Sequence, residues 1–309
     1  MASNTKPAFD YLPGDDSFLD PLRTDAHEPD KARCVVIPFG LEQSVSYGGG
    51  TAAGPQAIIE ASHQLELFDE EFWAEPYARY GIAALRPQPV APKVADALDQ
   101  LEGIVESVLA AGRFPFVLGG EHSLTAGAIR PFARRHKDLV VLQFDAHADL
   151  RDGYLGEYFS HASAMRRVLD NQNVSLVSVG IRAVSSAEIA FYEINRDRIA
   201  IHWGKDQARW DIEEIVGPLR GRPVYVTFDI DGLDSAIMPA TGTPTPGGIP
   251  YLTALSILRR ASEVSTIVGA DLVEFAPIAG LHAFDYTAAH LAYKMMNYAL
   301  AGSISRSGS

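Results

Sequence analysis

The chain has 309 residues and a formal net charge of −13, with 39 Asp and Glu against 26 Lys and Arg. That balance argues against nucleic acid or an anionic membrane surface as partner, and 47% hydrophobic with 21% charged residues describes an ordinary folded protein. The single cysteine, Cys34, excludes an internal disulfide framework and a thiolate metal cluster. No apolar run approaches the ~18 residues of a membrane span. The opening MASNTKPAFDYLPGDD lacks the basic and apolar regions of a signal peptide, so a cytoplasmic protein is expected.

In chain order, residues 1–32 read as an irregular N-terminal arm, rich in Pro, Asp and Gly. Strands are expected at 33–39, 114–120, 139–145, 174–181, 198–203, 223–230 and 266–274. Several are apolar without alternation, as parallel strands covered on both faces should be. Helical patterns fall between them, at 55–63, 92–111, 124–136, 161–171, 185–195, 211–219, 252–262 and 285–301. Pro55 sits at a plausible first helical position. The alternation implies one α/β domain over 33–302, a three-layer sandwich with a mostly parallel sheet, then a flexible tail at 303–309.

In such sheets ligands bind beyond the carboxyl ends of the strands. Reactive residues gather there. Glu121, His122 and Ser123 follow Gly119-Gly120, where a tight turn with Ser123 as helix cap is the plain alternative. FDAHAD places Asp145, His147 and Asp149 at alternate positions after a greasy run, and an extended chain would put them on one face. Asp229 and Asp231 repeat the spacing, while Asp234 suits a turn and is given no metal role. Glu274 ends the run GADLVE, which also holds Asp271, and a helix-facing ion pair is the alternative there. The stretch PATGTPTPGG at 239–248 reads as a shaped loop beside the site. GGGTAAG at 48–54 lacks the Lys-Ser/Thr ending of a phosphate-binding loop.

Crowded carboxylates repel unless a cation intervenes. If these strand ends converge, His122, Asp145, His147, Asp149, Asp229 and Asp231 form the candidate metal set. Its four carboxylates are neutralised by two divalent cations. Carboxylate and imidazole without thiolate suit Mn²⁺, with Zn²⁺, Fe²⁺, Co²⁺ or Ni²⁺ as substitutes. Asp145 or Asp229 is placed to bridge two ions. Metals ~3.5–4 Å apart share a water and lower its pKa, which implies hydrolysis at an electrophilic carbon or phosphorus.

Together GGEHS, FDAHADLRD, SHASAMRR, SVGIRAV, TFDIDGLDSAIMPATGTPTPGG and GADLVEFAP resemble the ureohydrolases, the group of arginase, agmatinase and their relatives, from about residue 36 to 296. The resemblance implies an eight-stranded, mostly parallel sheet with helices on both faces, and assembly as a homotrimer or homohexamer. It implies two Mn²⁺ per subunit, one on His122, Asp145, Asp149 and Asp229, the other on Asp145, His147, Asp229 and Asp231. A bridging hydroxide would attack the guanidinium carbon and release urea and an amine. Glu274 matches the guanidinium-binding carboxylate and His161 the proton-relay histidine, which with Asp149 makes up the candidate catalytic set.

Arginases hold their substrate's amino-acid head with a Ser-x-Asn segment, and LRDGYLGEYFSHAS has none. Agmatine, a small dication, is therefore the expected substrate, with putrescine and urea as products. 4-Guanidinobutyrate, arginine and formimidoylglutamate stand as alternatives. Tyr154, Glu157 and the loop GLEQSVSYGGG are candidates for reading the substrate tail. A catalytically silent homologue is the alternative of another class, opposed by the presence of every expected ligand.

Overall fold

The structure, a computed structural model, describes residues 9–302, so the expected tail at 303–309 lies outside the described residues. One eight-stranded sheet runs through it. Its strands are β1 Cys34–Phe39, β2 Ile82–Ala84, β3 Phe114–Gly119, β4 Leu139–Phe144, β5 Val174–Val179, β6 Ile199–His202, β7 Pro223–Asp229 and β8 Thr266–Val273. The spatial order is β2-β1-β3-β8-β7-β4-β5-β6, and every pairing is parallel. The α/β sandwich expected from the alternation is the observed fold. β2 is the strand that the apolar pattern did not mark, because at three residues it is too short to carry a periodic signal.

Alternate strand residues feed two cores, since successive side chains point to opposite faces. Val140, Leu142 and Phe144 of β4 join the core under helices Tyr251–Val264 and His282–Leu300. Leu139 and Val141 join the core under helix Val94–Ala110, which contributes Leu98, Leu101 and Val105. Both faces are thus covered, which explains why the strands read as unbroken apolar runs. Phe18 and Leu19, in the segment before β1, are fully buried in the first of these cores. Among the described residues no helix is long and apolar enough to cross a membrane.

Three expected helices are shorter or broken, each near a proline or a turn. The pattern at 124–136 splits into Thr125–Ala128 and Arg130–Arg135, with Pro131 in the first turn of the second piece, where its missing N–H is harmless. Helix Ile212–Val216 gives way to a 3₁₀ turn containing Pro218. The pattern at 161–171 becomes a 3₁₀ turn at His161–Ser163 and a short helix Ala164–Val168.

β4 and β7 are neighbours; β4 ends on Phe144 and β7 one residue beyond Phe228, and both phenylalanines are fully buried. Their rings stack with centroids 4.7 Å apart and planes 12° from parallel. Asp145 follows Phe144 just past the end of β4, and Asp229 follows Phe228 as the last residue of β7. Phe228→Ala should therefore cost about 3–5 kcal/mol of stability in chemical denaturation. It should also weaken divalent-cation binding by calorimetry, and unchanged affinity would mean that the stack does not brace the two loops.

Candidate metal centre

The four strands β3, β8, β7 and β4 lie side by side in that order, and each carboxyl end delivers acids or histidines to one place. β3 leads to Glu121 and His122, β8 to Glu274, β7 to Asp229 and Asp231, and β4 to Asp145, His147 and Asp149. The Gly-Gly turn after β3 is forced by proximity: a Cβ on Gly120 would lie 2.0 Å from the carbonyl oxygen of Leu41. Ser123 does not cap a helix; its hydroxyl donates to Glu121 Oε1 at 2.6 Å.

The crowding of Asp145, His147 and Asp149 has a different cause from the expected strand alternation. β4 ends at Phe144 and the chain turns. Asp145 Oδ1 accepts the His147 amide at 2.6 Å, and Asp229 Oδ1 likewise accepts the Asp231 amide at 2.9 Å. In each pair the first aspartate folds the chain over its own side chain, a local turn that Asp forms readily. Its other oxygen, Oδ2, is left facing the cluster. Asp149 then adopts a left-handed backbone with φ of 53°, and Glu274 does the same at 63°. Outside glycine this region is strained, at roughly 1–3 kcal/mol per residue, and such strain collects at functional sites.

His122 Nδ1 lies 3.1 Å from Asp145 Oδ2, 3.0 Å from Asp149 Oδ2 and 3.3 Å from Asp229 Oδ2. It is buried, yet makes no aligned hydrogen bond. The opposite ring nitrogen, Nε2, is 2.9 Å from Thr227 Oγ1, whose own proton goes to Asp271 Oδ1 at 2.6 Å. With that proton committed, Thr227 accepts from Nε2–H, so the ring in its neutral form has its lone pair at Nδ1. A lone pair aimed at three carboxylates is what a cation would satisfy. His147 Nδ1 faces Asp231 Oδ2 at 3.0 Å and Asp145 Oδ1 at 3.7 Å. Two groups, His122 with Asp145 and Asp149, and Asp145 with His147 and Asp231, have ligand atoms close enough to hold a metal ion. The expected residues are thus brought together, with Asp145 common to both groups and Asp229 beside the first.

Without a cation the cluster shares protons. Burial, then the charge of Asp145, pushes Asp149 up to about 7. Burial and the neighbouring Asp231 and Asp145 push Asp229 up as well. Burial works against the charged form of His147, yet Asp145 and Asp231 prevail and raise it to about 12. His122 is raised in the same way by its three carboxylates. Burial also opposes ionised Asp145, but His122 and His147 hold it below its ordinary range. Glu274 is raised to about 8, chiefly by burial, although the His122 amide donates to its Oε1 at 2.7 Å.

A cavity of about 290 Å³ opens onto the cluster, lined by Asp149, His161, Asp229, Asp231 and Glu274, with Val45–Gly48, Tyr154 and Thr243 on its walls. Arg151 is the only Lys or Arg among the described lining residues. Its guanidinium carbon sits 4.7 Å from the centroid of the Tyr154 ring, and its Nε lies 3.9 Å from buried Glu188. Glu157 does not line the cavity; its side chain accepts the Phe159 amide at 2.9 Å. Asp234 serves the loop, accepting the amides of Ala236, Gly247 and Gly248.

Residues 32–301 match the model of the arginase family. The chain belongs to the arginase family. It is 35% identical over 280 residues to the N(1)-aminopropylagmatine ureohydrolase of Synechocystis sp., covering 86% of this chain and 89% of that protein. It is 36% identical over 254 residues to the agmatinase of Bacillus anthracis, covering 81% and 85%. The crystal structure of the agmatine ureohydrolase of Thermoplasma volcanium superposes with a TM-score of 0.79 at 30% identity, covering 88% of this chain and 91% of that one. This member of the family is a ureohydrolase, a hydrolase of linear amidines.

Several supporting residues were given no role by the sequence reading, although for Thr227, Gln143 and Asp271 a signal was present, a polar residue inside an apolar strand. Thr227 orients His122. Asp271 forms no ion pair among the described residues and instead accepts the hydroxyls of Thr125, Tyr225 and Thr227. Gln143 donates to Asp145 Oδ2 at 2.8 Å and takes the Ser178 hydroxyl at 2.6 Å. Arg182, half-buried, donates to the carbonyls of Asp231 and Thr245 and ties the second aspartate pair to the 239–248 loop.

The raised carboxyls give a signed pH dependence. Unfolded Asp and Glu titrate near 4. The stability contributed by Asp149 and Glu274 is therefore fully present below about pH 4 and is lost as pH rises through their folded values of about 7 and about 8. Asp145, held low, acts in the opposite sense only at more acid pH. The Tm of metal-free protein should fall from pH 5 to pH 8, and saturating divalent cation should remove that fall. A flat metal-free profile by differential scanning fluorimetry would contradict this electrostatic picture.

Proposed function

We propose that this ureohydrolase cleaves agmatine to putrescine and urea, with two Mn²⁺ held by His122, Asp145, Asp149 and Asp229 and by Asp145, His147, Asp229 and Asp231. The fit of the donor set supports the metals: four carboxylates and two imidazoles converge, and His122 presents a lone pair to three of those carboxylates. Two such ions supply a water acidified to near-neutral pKa.

The chain's own residues do the rest. Glu274 has Oε1 anchored by the His122 amide, which leaves Oε2 to accept guanidinium N–H groups as a planar, charge-assisted pair. That holds the guanidinium carbon against the metal cluster. Water adds to this carbon, the bond to the chain-bearing nitrogen breaks, and that nitrogen must gain a proton. His161, which lines the same cavity, carries it there: burial lowers its basicity, so the neutral imidazole takes up the proton that the attacking water loses and passes it on readily.

The observation that carries the choice of agmatine is the lack of a free cation on the described cavity wall. Arg151 is the one Lys or Arg among the described lining residues, and Tyr154 and Glu188 already engage it, while Asp149, Asp229 and Asp231 are committed to the metals and Glu274 to the guanidinium. Among the described lining residues no free cation waits for a substrate carboxylate, which disfavours 4-guanidinobutyrate, and the missing Ser-x-Asn segment disfavours arginine. The likeness to the Synechocystis enzyme favours a second cationic substrate, N(1)-aminopropylagmatine.

A urea-release panel over agmatine, N(1)-aminopropylagmatine, arginine, 4-guanidinobutyrate and formimidoylglutamate, with Mn²⁺-loaded protein, tests the choice. Agmatine should give the highest kcat/KM. A higher value for N(1)-aminopropylagmatine would install the second reading, and one for arginine would overturn both. Glu274→Gln keeps an acceptor for the His122 amide but removes the charge. It should retain two metals per chain by elemental analysis, with KM raised and kcat/KM lowered about 10²-fold or more.

A further inference from the structure

We infer that Ser44 and Glu121 are positioning residues for His161, fixing its ring as the Nδ1–H tautomer so that the lone pair of Nε2 faces the cavity. The inference rests on the reading of His161 as proton carrier and extends it to residues outside the metal set.

Glu121 is fully buried and forms no ion pair among the described residues. Its carboxylate is filled by four donors. The amides of Gln43 and Ser44 reach Oε2 at 2.7 and 2.6 Å, and the hydroxyls of Ser44 and Ser123 reach Oε1 at 2.8 and 2.6 Å. This pulls the loop after β1 onto the end of β3. It also fixes the direction of the Ser44 hydroxyl, whose single proton points to Glu121.

The remaining lone pairs of Ser44 Oγ face His161 twice. The His161 amide donates to Oγ at 2.9 Å, and ring Nδ1 lies 3.2 Å away. An oxygen whose only proton is committed elsewhere has no hydrogen to offer Nδ1, so Nδ1 carries the hydrogen. In the neutral ring Nε2 then holds the lone pair. That nitrogen lies 3.4 Å from the hydroxyl of Ser46, which lines the cavity with Asp149 and Glu274. Ser160 Oγ is a longer second neighbour of Nδ1, at 3.4 Å, and accepts the Ala162 amide. Ring placement is reinforced by Tyr154, whose plane stands edge-on to His161 at a centroid distance of 6.1 Å. A proton reaching Nε2 therefore arrives on the cavity side and leaves from the same nitrogen, with no ring flip.

The test uses full-length protein with ¹⁵N-labelled histidine. Long-range proton–nitrogen spectra of the metal-free form distinguish the tautomers, and the signal missing from His161→Asn identifies His161. Wild type and Ser44→Thr should show Nδ1–H, and Ser160→Ala should leave it unchanged. Ser44→Ala should move His161 toward Nε2–H. In Mn²⁺-loaded protein Ser44→Ala should lower kcat about tenfold or more with KM within about twofold, and Ser44→Thr should restore it. Nε2–H in wild type, or an unmoved Nδ1–H in Ser44→Ala, would overturn the positioning. Full activity in His161→Asn would instead remove the proton-carrier reading, leaving the tautomer measurement to judge the geometry alone.

Discussion

Everything in this molecule is arranged around a concentration of negative charge that water cannot screen. Asp145, Asp149, Asp229 and Asp231 lie buried at the ends of two adjacent strands, and His122 aims one nitrogen at three of them. In the absence of a cation, burial and like charge push Asp149 and Asp229 up and the surrounding carboxylates push both imidazoles up, so the cluster favours binding protons. A divalent cation would take the place of those protons. The protein is therefore built to hold the cluster together before the charge that justifies it has arrived.

The holding is done from below and from the side. Below, the Phe144 and Phe228 stack and the paired strands β4 and β7 set the spacing of Asp145 and Asp229. From the side, Asp271 gathers three hydroxyls and passes its orientation through Thr227 to His122, while Gln143 steadies Asp145. Arg182 has no carboxylate partner among the described residues; it spends its guanidinium on backbone carbonyls of the two loops that meet at the cavity. Two of the acids nearest the reacting centre, Asp149 and Glu274, sit in left-handed backbone. The rest of the fold sustains that strain because the neighbouring turns and strand ends leave no other path.

The candidate site was readable to an unusual degree because its chemistry demands rare residue types at fixed short spacings. Asp-x-His-x-Asp and Asp-x-Asp after apolar runs have few bland explanations, and both spacings follow from a side chain that caps the amide two residues on. The reason first suggested by the pattern, one face of an extended strand, was incorrect although the convergence was real. A turn and a strand alternation both bring i and i+2 together, and sequence spacing alone does not separate them. β2 went unmarked because three residues carry no period. Glu157, unlike Tyr154, turned away from the cavity to cap its own loop.

The sequence by itself determined which strand ends carry reactive groups, that the strands are parallel and buried on both faces, and which family the motifs belong to. These are properties of composition and short-range order, and they are written residue by residue. The tertiary structure decided that β8 and β7 slot between β3 and β4, so that His122, Glu274, Asp229 and Asp145 become neighbours although 152 residues separate His122 from Glu274. It also decided which nitrogen of His122 and of His161 is left with a lone pair. Both assignments depend on where a single hydroxyl proton goes, Thr227 to Asp271 and Ser44 to Glu121, and that is settled only when distant segments meet.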